Sequence, residues 1–167
     1  MRPALRKLKY GRDIGLGEAL AWDVAVCLHS LGWQADAIVP IPLSQQRMRE
    51  RGYNQSGLIA HPLSHIMKWN YLPDALQRVR HTRSQVGLTA AERRENVQAA
   101  FTAHAGKVKN KTILLFDDVA TTGATLNSAS QSLLSAGATR VYALTVAKAL
   151  QKYGLDRIEQ LSPRSSH

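Results

Sequence analysis

Residues 113–125 read Ile-Leu-Leu-Phe-Asp-Asp-Val-Ala-Thr-Thr-Gly-Ala-Thr. The apolar run 112–116 has the length and composition of a buried strand. Asp117 and Asp118 are expected to end it. Adjacent residues on an extended chain point to opposite sides, so one carboxylate faces a ligand directly unless the strand has already begun to turn. Carboxylates accept hydrogen bonds of the kind sugar hydroxyls donate. Thr121, Thr122, Gly123, Ala124 and Thr125 then turn the chain into a helix carrying Leu126, Ala129, Leu133 and Leu134. Backbone N–H groups, hydroxyls and a helix N-terminus are what a phosphate needs, and Gly123 lets the backbone come close to its oxygens. The segment is therefore suited to a sugar at one end and a phosphate at the other. An ordinary strand-to-helix turn capped by Thr and Asp would account for any one of these residues, but not for the whole arrangement. A Walker A reading fails for want of Gly-Lys-Ser/Thr. The pair Gly15-x-Gly17 has neither a preceding strand nor the third glycine of a dinucleotide fingerprint.

Working outward, Gly137 ends the helix and residues 141–147 form the last strand. Upstream, residues 37–42 are a short apolar run in which Pro40 and Pro42 force a turn. Residues 14–31 carry Leu16, Leu20, Val24, Cys27, Leu28 and Leu31 at helical spacing, with Gly32 as the cap. This places Cys27 in the core. A second helix is expected over 54–67, with Leu58, Ile59, Leu63 and Ile66 on one face and Pro62 kinking or breaking it. Residues 72–80 are expected to form a strand and 81–88 a mobile loop. A short helix follows to about residue 97, opened by the capping box Thr89 and Glu92. Strands alternating with helices give an α/β fold: a mostly parallel central sheet flanked by helices, with ligands at the carboxyl ends of its strands. The expected organisation is a basic lead-in over 1–13, one domain over 14–150 and a C-terminal tail over 151–167, disordered at its end.

The formal net charge is +10, with an isoelectric point near 10.2. The basic residues cluster as Arg47, Arg49 and Arg51, then Arg78, Arg80, His81 and Arg83, which favours anionic partners. No apolar run reaches the 18 residues of a membrane span, and the basic start has no apolar region behind it to make a secretory signal. Cys27 is the only cysteine. An internal disulfide and a cysteine zinc site are thus excluded, and a lone thiol fits a cytoplasmic location. His61 and His65, four apart, read as surface residues, and no metal ligand set is expected.

Residues 113–125 resemble the phosphoribosyl pyrophosphate signature of the type I phosphoribosyltransferases, departing from it at Ala120, where that family usually has a larger residue. Residues 38–43, Arg47 and Arg51-Gly52-Tyr53-Asn54-Gln55 resemble the ComF/GntX group of competence-associated proteins. Thr82, Ser84-Gln85, Leu88, Glu92-Arg93, Asn96 and Ala100-Phe101 continue the likeness over roughly residues 5–150. Members of that group often carry an N-terminal cysteine-rich segment resembling a zinc ribbon. With a single cysteine here, metal binding by cysteine is not implied.

The resemblance implies the type I phosphoribosyltransferase fold. It implies that Asp117 and Asp118 contact the ribose hydroxyls and that Thr121, Thr122, Gly123, Ala124 and Thr125 cradle the 5-phosphate. The loop over 43–51 would meet the pyrophosphate, with Arg47 and Arg51 supplying positive charge. Thr82, Ser84 and Gln85 fall where type I enzymes place a lid that excludes water. Mg²⁺ would be held mainly through the pyrophosphate ligand. Two functions stay open. One is transfer of phosphoribosyl to a nitrogen acceptor, with Asp117 and Asp118 as the catalytic carboxylates. The other is a non-catalytic regulatory or single-stranded-DNA-binding role on the same fold, alongside proteins of a DNA-uptake machinery, which the charge also suits.

Overall fold

The structure, a computed structural model, describes residues 13–79 and 100–148. In chain order the elements are α1 (Ile14–Ser30), β1 (Ala37–Pro40), α2 (Gln45–Arg51), α3 (Gln55–Met67), β2 (Asn70–Tyr71), β3 (Leu76–Arg78), β4 (Phe101–Ala103), α4 (Ala105–Val108), β5 (Thr112–Ala120), α5 (Ala124–Ser135) and β6 (Arg140–Lys148). A four-stranded sheet runs β2-β1-β5-β6 with every pairing parallel. A separate antiparallel pair, β3-β4, stands apart from it.

The apolar runs are continuous because both faces of this sheet are covered. Alternation sends Ile38, Leu114 and Phe116 to one face, where α1 and α3 meet them through Ala21, Val24, Leu28, Ile59 and Leu63. Ala37, Val39, Ile113 and Leu115 go to the other, against Ala129 and Leu133 of α5 and Phe101 of β4. The expected α/β architecture with a parallel sheet between helices is what forms.

Several local expectations are corrected. Cys27 is exposed, as is Leu31. The buried seam of α1 is instead Gly17, Ala21, Val24, Ala25 and Leu28, because α1 lies so close to α3 that small residues are required. A Cβ at Gly17 would sit 2.7 Å from the Leu58 carbonyl oxygen. That carbonyl is the one Pro62 leaves without its helical donor, and α3 passes through Pro62 as one helix. Of the strand expected over 72–80, Leu76–Arg78 forms (β3), and a separate short strand, β2 (Asn70–Tyr71), comes before it. After Pro73 and Asp74 the chain leaves β1, which β2 accompanies in parallel, and starts the antiparallel pair with β4. The segment after β1 is also not a long loop. Ser44 accepts a hydrogen bond from the Arg47 amide and Gly52 closes the far end, so residues 45–51 form α2. The lid residues Thr82, Ser84 and Gln85, the helix expected after Thr89 and the tail over 151–167 lie outside the described residues.

Candidate functional site

The strand carrying the paired acids does not stop at them. β6 runs on beside β5, pairing Asp117 with Thr145, Val119 with Ala147 and Ala120 with Lys148, whereas β1 has ended at Pro40. Beyond Phe116, β5 has β6 partners on one side at Asp117, Val119 and Ala120 and none from β1 on the other. Asp117 and Asp118 thus lie at an open notch of the sheet, still in extended geometry.

Ser56, buried in the first turn of α3, organises this notch. Its hydroxyl donates to Asp117 Oδ1 at 3.0 Å and accepts from the Asp118 amide at 3.2 Å. The Asp118 amide also reaches Asp117 Oδ1 at 2.9 Å. Asn54 sets the start of α3. Its Oδ1 accepts from the Ser56 amide at 3.1 Å, and its Nδ2 donates to the Ile41 carbonyl at the end of β1 at 2.9 Å. Burial, and then the charge of Asp118, push the Asp117 carboxyl up to about 6 from its ordinary 3.8, against the opposing pull of the Ser56 hydrogen bond. This is negative charge held in a place that disfavours it.

Beyond Ala120 the chain turns through residues 121–123 into α5. Gly123, the residue before the helix, has φ +80°, a conformation costly to any residue with a Cβ. No side chain caps this helix. Thr122 Oγ1 accepts a long, 3.4 Å hydrogen bond from the Ala124 amide. The first-turn amides and their positive end of the helix dipole therefore face outward among the threonine hydroxyls.

α2 and β3 contribute the cations of the same cleft. A cleft of about 380 Å³ is lined by Arg47, Arg51, Gln55, Arg78, Asp117, Asp118, Thr121 and Thr125, with residues 41–44 and Val119 completing the wall. Arg47 and Arg51 stand one turn apart on α2, so they share a face. Arg51 Nη1 donates to Gln55 Oε1 at 3.0 Å. The Arg78 guanidinium lies 4.9 Å from the centre of the Phe101 ring, and β3-β4 pairing sets the two residues opposite each other. Burial, then the nearby charge of Arg47, hold Arg78 below its ordinary value while Asp117 opposes them. The cleft thus combines carboxylates and hydroxyls, which can accept from sugar hydroxyls, with three guanidiniums, which can donate to phosphate oxygens.

The structure brings Arg47, Arg51, Asp117, Asp118, Thr121 and Thr125 into one cleft, with Thr122, Gly123 and Ala124 on the turn that joins its acid wall to α5. Sequence reading missed the site roles of Ser56, Gln55 and Arg78. The run Asn54-Gln55-Ser56 directly after Arg51-Gly52-Tyr53 was a usable signal for the first two. Arg78 stood in a noted basic cluster, but no spacing connects it to Asp117. Among the described residues, no group of three or more His, Cys, Asp or Glu is placed to hold a metal ion, and no helix is long and apolar enough to cross a membrane.

Known proteins resemble this chain in sequence and in fold. The phosphoribosyl transferase domain family matches residues 60–162. Competence protein F of Haemophilus influenzae is 38% identical over 116 residues, 68% of this chain and 51% of that protein. DNA utilization protein YhgH of Escherichia coli K12 is 34% identical over 146 residues, 84% of this chain and 64% of that protein. Among solved structures, adenine phosphoribosyltransferase from Thermoanaerobacter pseudethanolicus superposes with a TM-score of 0.53 at 14% identity, covering 82% of this chain and 70% of that one. The chain belongs to the phosphoribosyltransferase domain family, in its ComF branch. It spans about half to two-thirds of the length of the two relatives named.

Proposed function

We propose that the cleft binds phosphoribosyl pyrophosphate with Mg²⁺ and transfers the phosphoribosyl group to a nitrogen acceptor. The observation that carries this reading is that Asp117, Asp118 and the threonines at the start of α5 line one cleft together with the three guanidiniums of Arg47, Arg51 and Arg78. The two carboxylates accept hydrogen bonds from the 2′- and 3′-hydroxyls. The turn over 121–125 holds the 5-phosphate on hydroxyls and backbone amides. The guanidiniums of Arg47 and Arg51 hold the pyrophosphate, and Arg78 adds to their charge.

In the reaction the anomeric C–O bond to pyrophosphate breaks, a C–N bond forms, and the proton displaced from nitrogen passes to solvent. No residue has to act as a covalent nucleophile. The chain contributes position and charge. The arginines neutralise the departing pyrophosphate, and the Asp117–Asp118 wall stabilises the positive charge that develops on the ribose. The residues fit a hard cation: Asp117, Asp118 and the threonines offer carboxylate and hydroxyl oxygens, and burial and the charge of Asp118 both disfavour the ionised Asp117 carboxyl, which a cation would relieve. Mg²⁺, held mainly by pyrophosphate and ribose oxygens beside Asp117 and Asp118, would supply further neutralisation of the leaving group.

A second reading is supported by a different observation. Two relatives are named for competence and DNA utilization, and α2 presents Arg47 and Arg49 on its exposed surface. The alternative is a regulatory protein that binds single-stranded DNA along this basic surface and works with DNA-uptake proteins, with or without turnover in the cleft. A screen of nitrogen bases for pyrophosphate release tests the first reading. A salt series of single-strand binding tests the second, which requires an affinity that falls steeply with salt.

A further inference from the structure

The cleft wall contains one buried donor without a role in the ligand contacts above. Gln55 is 1% exposed and lines the cleft. Its Oε1 accepts from Arg51 Nη1 at 3.0 Å. Its Nε2 is buried and has no hydrogen-bond partner. The amide cannot simply be turned over. Doing so would set the Nε2 hydrogens against those of a guanidinium, which has five donors and no acceptor. Arg51 therefore fixes which end of the amide is committed and which is spare. The flanking side chains are engaged elsewhere: Asn54 holds Ile41 and the first turn of α3, and Ser56 holds Asp117. A buried N–H with no acceptor is rare in native proteins and costs free energy. Such a group calls for an acceptor, and at the wall of a cleft a ligand oxygen is one that can supply it.

We infer that Gln55 is a ligand-binding residue whose Nε2 donates to a phosphoryl oxygen at the pyrophosphate end of the cleft, while its Oε1 positions Arg51 for the same group. The inference rests on the proposal that the cleft takes phosphoribosyl pyrophosphate. An anionic oxygen is the acceptor this position suits, because Arg47, Arg51 and Arg78 line the same cleft and charge-assisted hydrogen bonds are the stronger kind. The turn over 121–125 serves the other phosphorylated end of the ligand, which assigns Gln55 to the pyrophosphate.

Calorimetric titration of the whole chain in Mg²⁺, with inorganic pyrophosphate and with ribose 5-phosphate separately, tests this on Gln55→Glu and Gln55→Met. Glutamate keeps an acceptor for Arg51 and replaces the donor. Methionine keeps the length and removes both polar atoms. The expected result in each variant is a loss of about 10- to 100-fold for pyrophosphate, the worth of a hydrogen bond to a charged group, with ribose 5-phosphate within about threefold of the native protein. Retained ribose 5-phosphate binding also shows that the variant is folded. A merely structural glutamine would weaken both ligands together or neither, and either result overturns the inference. So does a loss confined to ribose 5-phosphate. If the native protein binds neither ligand nor phosphoribosyl pyrophosphate, the proposed function itself fails. If it binds them and both variants match it, only the role of Gln55 falls.

Discussion

Replacing Asp117 by asparagine should make the ligand-free protein more stable at neutral pH while removing part of its site. The carboxyl titrates at about 6 in the fold against an ordinary 3.8, chiefly through burial and then through Asp118. The folded chain therefore binds more protons at this group than the unfolded chain between those values. Stability contributed by the protonated carboxyl is fully present below about pH 4, falls as the pH rises, and is gone above about pH 6. Two units at 1.36 kcal/mol each put the cost of ionised Asp117 near 3 kcal/mol. The new amide needs a partner for its N–H, which brings the expected net gain to about 2 kcal/mol at pH 8. Asparagine Oδ1 can still accept from Ser56, so the link to α3 survives. For a domain of this size about 2 kcal/mol corresponds to a rise in Tm of roughly 4–8 °C. Thermal unfolding of the native protein and Asp117→Asn at pH 4, 5, 6 and 8, without ligand, reads this directly. The native protein should be slightly the more stable at pH 4 and below, and the variant should overtake it and pull ahead as the pH rises. A variant less stable than the native protein at pH 8, or a difference independent of pH, would refute the reasoning.

Other outcomes follow from the same geometry. Gly123→Ala forces a Cβ onto a residue at φ +80° and should cost about 1 kcal/mol in urea unfolding while weakening ribose 5-phosphate binding in a titration. Gly17→Val places its Cβ 2.7 Å from the Leu58 carbonyl and should destabilise the protein by about 1–3 kcal/mol through forced separation of α1 and α3, read from the urea midpoint. Arg78→Ala removes one of the three guanidiniums that line the cleft. It should weaken pyrophosphate binding by about tenfold or more at low salt, with a smaller ratio to the native protein at high salt. Cys27 is exposed, so one equivalent of a thiol reagent should react with the native protein without denaturant; reaction only after unfolding would contradict the described packing of α1.

The parallel core was legible because its strands are buried on both faces. Residues 113–116 and 37–40 needed no alternation to be recognised, and the hydroxyl-rich turn after Ala120 marked the end of β5 at which the cleft opens. What escaped reading depended on partners distant in sequence. Whether β5 stops at Phe116 is decided by β6, whose register carries it to Ala120. Cys27 has helical spacing with Leu20, Val24 and Leu31, yet the seam of α1 follows Gly17, Ala21 and Ala25, since closeness to α3 selected for small size over hydrophobicity. α2 was missed although Ser44 and Gly52 bracket it, because its surface is polar and shows no apolar period. That helix places Arg47 and Arg51 on one face, an arrangement a loop would not have imposed. Ser56 could not be linked to Asp117 from sequence, as 61 positions separate them.

The most direct test of the account is calorimetric titration with phosphoribosyl pyrophosphate, with and without Mg²⁺, on the native protein, Asp118→Asn and Thr122→Ala. The account predicts binding in the range of about 1–100 μM, or roughly 8 to 5.5 kcal/mol, strengthened by Mg²⁺ and weakened by each substitution. Absence of binding at millimolar ligand, or affinity unchanged in Asp118→Asn and in Asp117→Asn, would contradict it.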